Sequence, residues 1–161
     1  VYLGGTGAAN KLDDYEEGTW VPTYSASGNA FTSITYNTTF TYGTYVKIGP
    51  LVSIRGYIRT EAMTIGPASG NVRIGNLPFI SSSGINATTD VRSRGSCTGF
   101  NFSADGPSVL AVEQGSAYAI LYAAETAGNG TSHKVVAAAS DMATGSASNI
   151  TTFSITYYTD A

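Results

Sequence analysis

Two runs of β-branched and aromatic residues, 44–48 and 51–60, meet at Gly49-Pro50, and this arrangement constrains the chain more than any other. A glycine-proline pair between runs of this kind makes a tight connection, so the pattern predicts a hairpin. In the second run Val52, Ile54, Gly56 and Ile58 fall on one side, with Ser53, Arg55, Tyr57 and Arg59 on the other. A period of two is the pleat of a strand, not the pitch of a helix. One face belongs to a core; the other meets water or a partner.

The same patterning recurs along the chain. Residues 19–24 read as a first strand, confined to an edge or a sheet's beginning by Pro22, with Trp20 as the first core anchor. Residues 31–42, 72–74, 92–102, 109–114 and 117–124 are further strand candidates, and 61–70 reads as a loop. In 117–124 the alternation of Tyr118, Ile120 and Tyr122 outweighs the helix preference of the alanines. Residues 134–139 form a short apolar run, and 150–159 place Phe153, Ile155 and Tyr157 on one face, as a core strand should. The fold expected is all-β, an antiparallel β-sandwich or jelly roll, preceded by a short extended connector. An elongated, fibre-like β-prism has the same composition. No fixed-period repeat points to a propeller or solenoid. Residues 1–18 read as the connector and 19–161 as the domain.

Only 12% of the residues are charged, about half the usual share, and the net charge is −3. With no basic run, a nucleic-acid partner is excluded. No apolar stretch approaches the roughly 20 residues that span a bilayer as a helix, so membrane insertion is not expected. The single cysteine, Cys97, rules out an intrachain disulfide and reads as a small buried side chain, with Arg92 and Arg94 the neighbours that would favour a reactive thiolate. Val1-Tyr2-Leu3 begins as if in mid-strand, which suggests part of a longer protein.

Catalytic equipment is sparse. Glycan hydrolysis needs two positioned carboxylates, and most acids here fall in expected loops. Glu113 alone falls in an expected strand, facing outward. His133 sits in a polar segment, and Gly5-Thr6-Gly7 lacks the rest of a dinucleotide-binding motif. The cluster Asp13, Asp14, Glu16 and Glu17 raises calcium, but its spacing is not that of an EF-hand loop and reads as solvated charge. No cofactor or metal is expected. Aromatics remain. Sugars present apolar C–H faces and hydroxyl edges, which suit an exposed ring bordered by polar groups. Tyr57 between Arg55 and Arg59 fits that pattern; Tyr118 and Tyr122 could form a second stripe, with Asp105 a further polar candidate. Equally, each tyrosine could pack between sheets with its hydroxyl outward.

The phrases LDDYEEGTW-Val-Pro at 12–22, Tyr-Val-Lys-Ile-Gly at 45–49 and Gly-Asn-Leu-Pro-Phe at 75–79 resemble the terminal domain of tail fibres and tailspikes of tailed bacteriophages. The likeness runs from about Leu3 to Phe79, and Asn76 stands where that family commonly has glycine. It implies a homotrimer in the virion, at the distal tail fibre or tailspike, whose partner is a bacterial surface polysaccharide. Three functions follow as expectations: a non-enzymatic receptor-binding tip, an architectural module that trimerises and caps the fibre, or a glycan depolymerase.

Overall fold

In the computed structural model, which describes residues 14–84, 93–104, 106–124 and 134–160, eleven antiparallel strands form one hydrogen-bonded sheet. They are β1 (Tyr15–Trp20), β2 (Thr23–Ala26), β3 (Ser33–Tyr36), β4 (Tyr42–Ile48), β5 (Leu51–Thr64), β6 (Val72–Gly75), β7 (Ser93–Phe100), β8 (Pro107–Val112), β9 (Ala119–Ala124), β10 (Lys134–Val136) and β11 (Ser148–Tyr158). Among the described residues the only helical piece is a 3-10 turn, Ala139–Asp141.

The main path of the sheet is β1-β4-β5-β11-β7-β8-β9-β6-β2, with β3 beside β5 and β10 beside β9. Laid flat, eight steps of roughly 4.8 Å would separate its ends by about 38 Å. Yet β1 and β2, the two ends, are joined only by Val21 and Pro22. The three residue steps from Trp20 to Thr23 reach at most about 11 Å. The sheet must therefore bend back on itself, and it curls into a half-barrel. The all-β, antiparallel class expected from sequence is what forms, but its opposed layers are one sheet turned round. Asn76, in the left-handed region at φ 64°, ends β6 and donates from Nδ2 to the Val21 carbonyl at 2.9 Å, pinning the bridge between the sheet's ends.

Several expected boundaries move, each for a local reason. Pro22 has no N–H for a ladder, so 19–24 is two strands on opposite ends of the path rather than one. β1 starts at Tyr15 and pairs with β4 along its length, so 15–18 belongs to the sheet and not to the connector. The run 31–42 is broken because Asn37 Oδ1 accepts from the Thr39 and Phe40 amides and turns the chain there. β5 continues through Thr64, supported by β3, into what reads as a loop. The hairpin itself forms at the expected place: Ile48 pairs with Leu51, and Gly49 takes φ 55° at the first turn position.

The core lies inside the curl. β5 contributes Val52, Ile54 and Ile58, β11 contributes Phe153, Ile155 and Tyr157, and all six are buried as the alternation requires. Cys97 is buried opposite Phe153. One transverse row is unusual: Trp20, Gly43, Gly56 and Phe153 stand side by side on β1, β4, β5 and β11. The two glycines leave space that the flanking rings occupy, and Trp20 meets Phe153 edge-on with centroids 6.0 Å apart.

A buried polar network ties the layers together. Tyr24 on β2 shares a 2.7 Å hydrogen bond with the Thr151 hydroxyl and donates to the Asn149 carbonyl at 2.7 Å. Asn149, at a register shift in β11 with φ 48°, donates from Nδ2 to Thr60 at 2.9 Å and to the Ala143 carbonyl at 2.7 Å, and its Oδ1 accepts from the Ala143 amide at 2.8 Å. Burial pushes the Tyr24 hydroxyl above its ordinary pKa.

A candidate ligand-binding face

Directly paired residues of an antiparallel ladder share a face. On the side of the sheet turned away from the core, Tyr42 and Thr152 therefore flank Tyr57, while Thr44 and Ser154 flank Arg55. Thr98 and Ser96 on β7 extend the two rows. Together they line a groove of about 700 Å³. Among the described residues its ionisable side chains are two tyrosines, the buried Cys97 and one cation, Arg55, and no carboxylate lines it.

Tyr42 and Tyr57 lie nearly parallel, 9° apart with centroids at 6.4 Å, and Tyr42 is 55% exposed. Phe40 leans on the other side of Tyr57 at 6.2 Å and is also exposed. What holds Phe40 is a chain of polar contacts. Asn37 turns the backbone and donates from Nδ2 to Glu61 at 2.6 Å, Glu61 pairs with Arg59 at 2.9 Å, and the Arg59 guanidinium lies 5.3 Å over the Phe40 ring. Hydrogen bonds from Ser146 and Asn37, with the Arg59 charge, hold the Glu61 carboxyl below its ordinary pKa.

The residues singled out by sequence divide accordingly. Tyr57 and Arg55 do share a polar face beside a groove. Arg59 flanks Tyr57 along β5, but it is committed to Glu61 and Phe40 and does not line the groove. Phe40 and Tyr42 are additions the sequence reading missed. Counting back from Ile48↔Leu51 would have placed Tyr42 opposite Tyr57.

Tyr118 and Tyr122 correct the expectation of a second exposed stripe. Tyr122 is only 7% exposed and packs with Ala111 and Ile120 in a separate apolar cluster, with Arg94 6.0 Å from its ring. Tyr118, just before β9, is half-buried beneath Arg73, whose guanidinium lies 4.0 Å from the ring centroid. Their alternation is real, but arginines and neighbouring strands cover them. Asp105, like His133 and Asp13, lies outside the described residues. Glu113 falls just beyond β8 instead of within a strand, and its carbonyl accepts from the Ser81 and Ser116 hydroxyls.

The remaining acids of the N-terminal cluster do not converge. Adjacent residues of a strand point to opposite faces, and Glu16 accepts from Tyr45 while Glu17 accepts from Tyr15. Asp14 pairs with Lys47 at 2.9 Å. No family model, curated protein or solved structure matches this chain.

Proposed function

We propose that this chain is a non-enzymatic tip domain of a bacteriophage tail fibre or tailspike, and that it binds a surface polysaccharide of the host along the Tyr42–Tyr57 groove. The observation that carries this reading is the parallel tyrosine pair beside a hydroxyl-lined groove. Such a surface offers rings to the C–H faces of a sugar and hydroxyls to its edges, and its volume lies within the usual range for a small-molecule site. Phrases shared with tail-fibre terminal domains over 3–79 supply the biological setting. A depolymerase would need a pair of carboxylates facing one cleft, and none of the described residues lining this groove is a carboxylate. The test is a glycan array probed with the intact domain. Binding to a defined set of bacterial polysaccharides is expected, weakened about tenfold by Tyr42→Ala or Tyr57→Ala at unchanged thermal stability. An array blank at every polysaccharide refutes the proposal.

An architectural role is favoured by a different observation. Tyr15, Ile48, Leu51 and Tyr158 are neighbours in register across β1, β4, β5 and β11, and all four are exposed. This apolar row runs to β1, an end of the sheet path, and suits contact with further copies of the chain in a homotrimer. A solution mass three times 16.6 kDa is expected, with Ile48→Lys and Leu51→Lys reducing it to one copy. A monomeric wild type refutes this reading.

A further inference from the structure

We infer that the sugar recognised in the groove carries a carboxylate, as a uronic or related acidic sugar does, and that Arg55 is the residue that selects it. This rests on the groove being the glycan site and specifies its ligand class. Arg55 is exposed at the centre of the lining, and its neighbours on that face are Thr44, Ser154, Ser53 and Tyr57, all uncharged and all hydroxyl-bearing. No carboxylate pairs with it among the described residues, where the ion pairs are Lys47–Asp14 and Arg59–Glu61.

The contrast with the other described arginines is informative. Arg59 is paired with Glu61 and lies over Phe40; Arg73 and Arg94 lie over Tyr118 and Tyr122. Among the described residues Arg55 has no such engagement. Across β4 the register carries Arg55 to Thr44 and then to Thr19 on β1; Glu17, one row further along β1, accepts the Tyr15 hydroxyl at 2.5 Å. In a chain of net charge −3, an uncommitted guanidinium between two aromatic rings and a row of hydroxyls is a local positive site. A guanidinium presents parallel N–H donors that match the two oxygens of a carboxylate. A single cation balances the single charge of a sugar acid, whereas a phosphate monoester carries nearly two charges at neutral pH.

The experiment uses the intact wild-type protein, Arg55→Gln and Tyr57→Ala. Each is titrated with polygalacturonate oligomers, with the same oligomers after carboxyl reduction, and with the acidic polysaccharides bound on the array, again before and after reduction. For at least one acidic polymer the wild type should bind about tenfold more tightly than to its reduced counterpart, and the preference should weaken with salt. Arg55→Gln should abolish the preference, so that acidic and reduced forms of the same polymer bind alike. Tyr57→Ala should weaken both forms and keep their ratio. Equal binding of acidic and reduced polymers, or a preference untouched by Arg55→Gln, overturns the acidic-sugar inference while leaving the glycan site standing. Binding of no polymer, acidic or neutral, overturns both. Competition by inorganic phosphate as strong as that by free galacturonate also overturns the carboxylate assignment.

Discussion

Gly43→Ala tests the packing on which the half-barrel depends. A Cβ on Gly43 would sit 2.6 Å from Trp20 Cε2, and one on Gly56 would sit 2.5 Å from Phe153 Cζ, both ring atoms of buried side chains. Neither glycine has a positive φ, so the backbone itself would accept alanine. Two effects then compete. Relieving glycine's entropy in a strand favours the alanine variant by about 0.5–1 kcal/mol, and overpacking opposes it by about 1–3 kcal/mol. Overpacking wins, because the obstacle is a ring wedged between two strands and not the end of a flexible side chain. Each variant should lose about 1–2 kcal/mol, roughly 2–4 °C of melting temperature per kcal/mol for a chain of this size. Trp20 is the only tryptophan, so urea unfolding followed by its fluorescence reads both stability and the displaced ring. Gly145→Ala is the control: its nearest contact is Ser148 Oγ at 3.5 Å, and its stability should change by less than about 0.5 kcal/mol. Trp20→Phe in the Gly43→Ala background, followed by circular dichroism because it lacks the only tryptophan, should recover part of the loss, since the pair shares one space. A Gly43→Ala protein as stable as wild type, with unchanged tryptophan emission, would refute the argument.

Asn149→Ala should cost about 2–4 kcal/mol, because it strands the Ala143 amide and carbonyl and puts alanine in the left-handed region. Asn149→Gly also loses the amide bonds but tolerates the positive φ, so it should cost less; equal losses in urea melts would show that backbone strain contributes nothing, and an Asn149→Gly protein as stable as wild type would show that the amide bonds contribute nothing. Glu61 and Asp160 titrate below their ordinary values, Glu61 through Ser146 and Asn37, Asp160 through Ser82 and Ser83. Their stabilisation is complete above the ordinary carboxylate range and is lost as pH falls through the lowered folded values, so Glu61→Gln and Asp160→Asn should each flatten the acid limb of a stability–pH curve. Limbs parallel to the wild type's would count against both contacts. At the other extreme, burial pushes Tyr36 and Tyr157 up to about 12. The unfolded chain ionises its tyrosines near 10 while these stay neutral, so stability should fall as pH climbs from 10 towards 12, and Tyr36→Phe should moderate the fall.

Local chemistry made much of the fold readable. The Gly49-Pro50 turn, the alternation of β5 and the buried face of β11 all follow from residues close in sequence. What escaped was decided at a distance or by one residue's side chain. Pro22 and Asn37 broke runs that composition alone joins, and nothing near 19–24 says that its two halves belong at opposite ends of a sheet. At the candidate site, Tyr57 was visible because it sits between arginines on a polar face. Its partners Phe40 and Tyr42 needed the hairpin register, which was available, and the Asn37–Glu61–Arg59 relay, which was not. Tyr122 misled because alternation tells which residues share a face, not whether that face is wet.

The position of β11 has a bearing on how such a molecule is made. The last strand along the chain lies in the middle of the sheet, between β5 and β7. Until it arrives, the first half of the sheet and the second have no ladder between them, and each shows a raw edge open to mispairing. Pairing across the middle of the sheet therefore waits for translation of residues 148–158. Shortening the chain by that one segment would leave two unfinished edges rather than a smaller version of the domain.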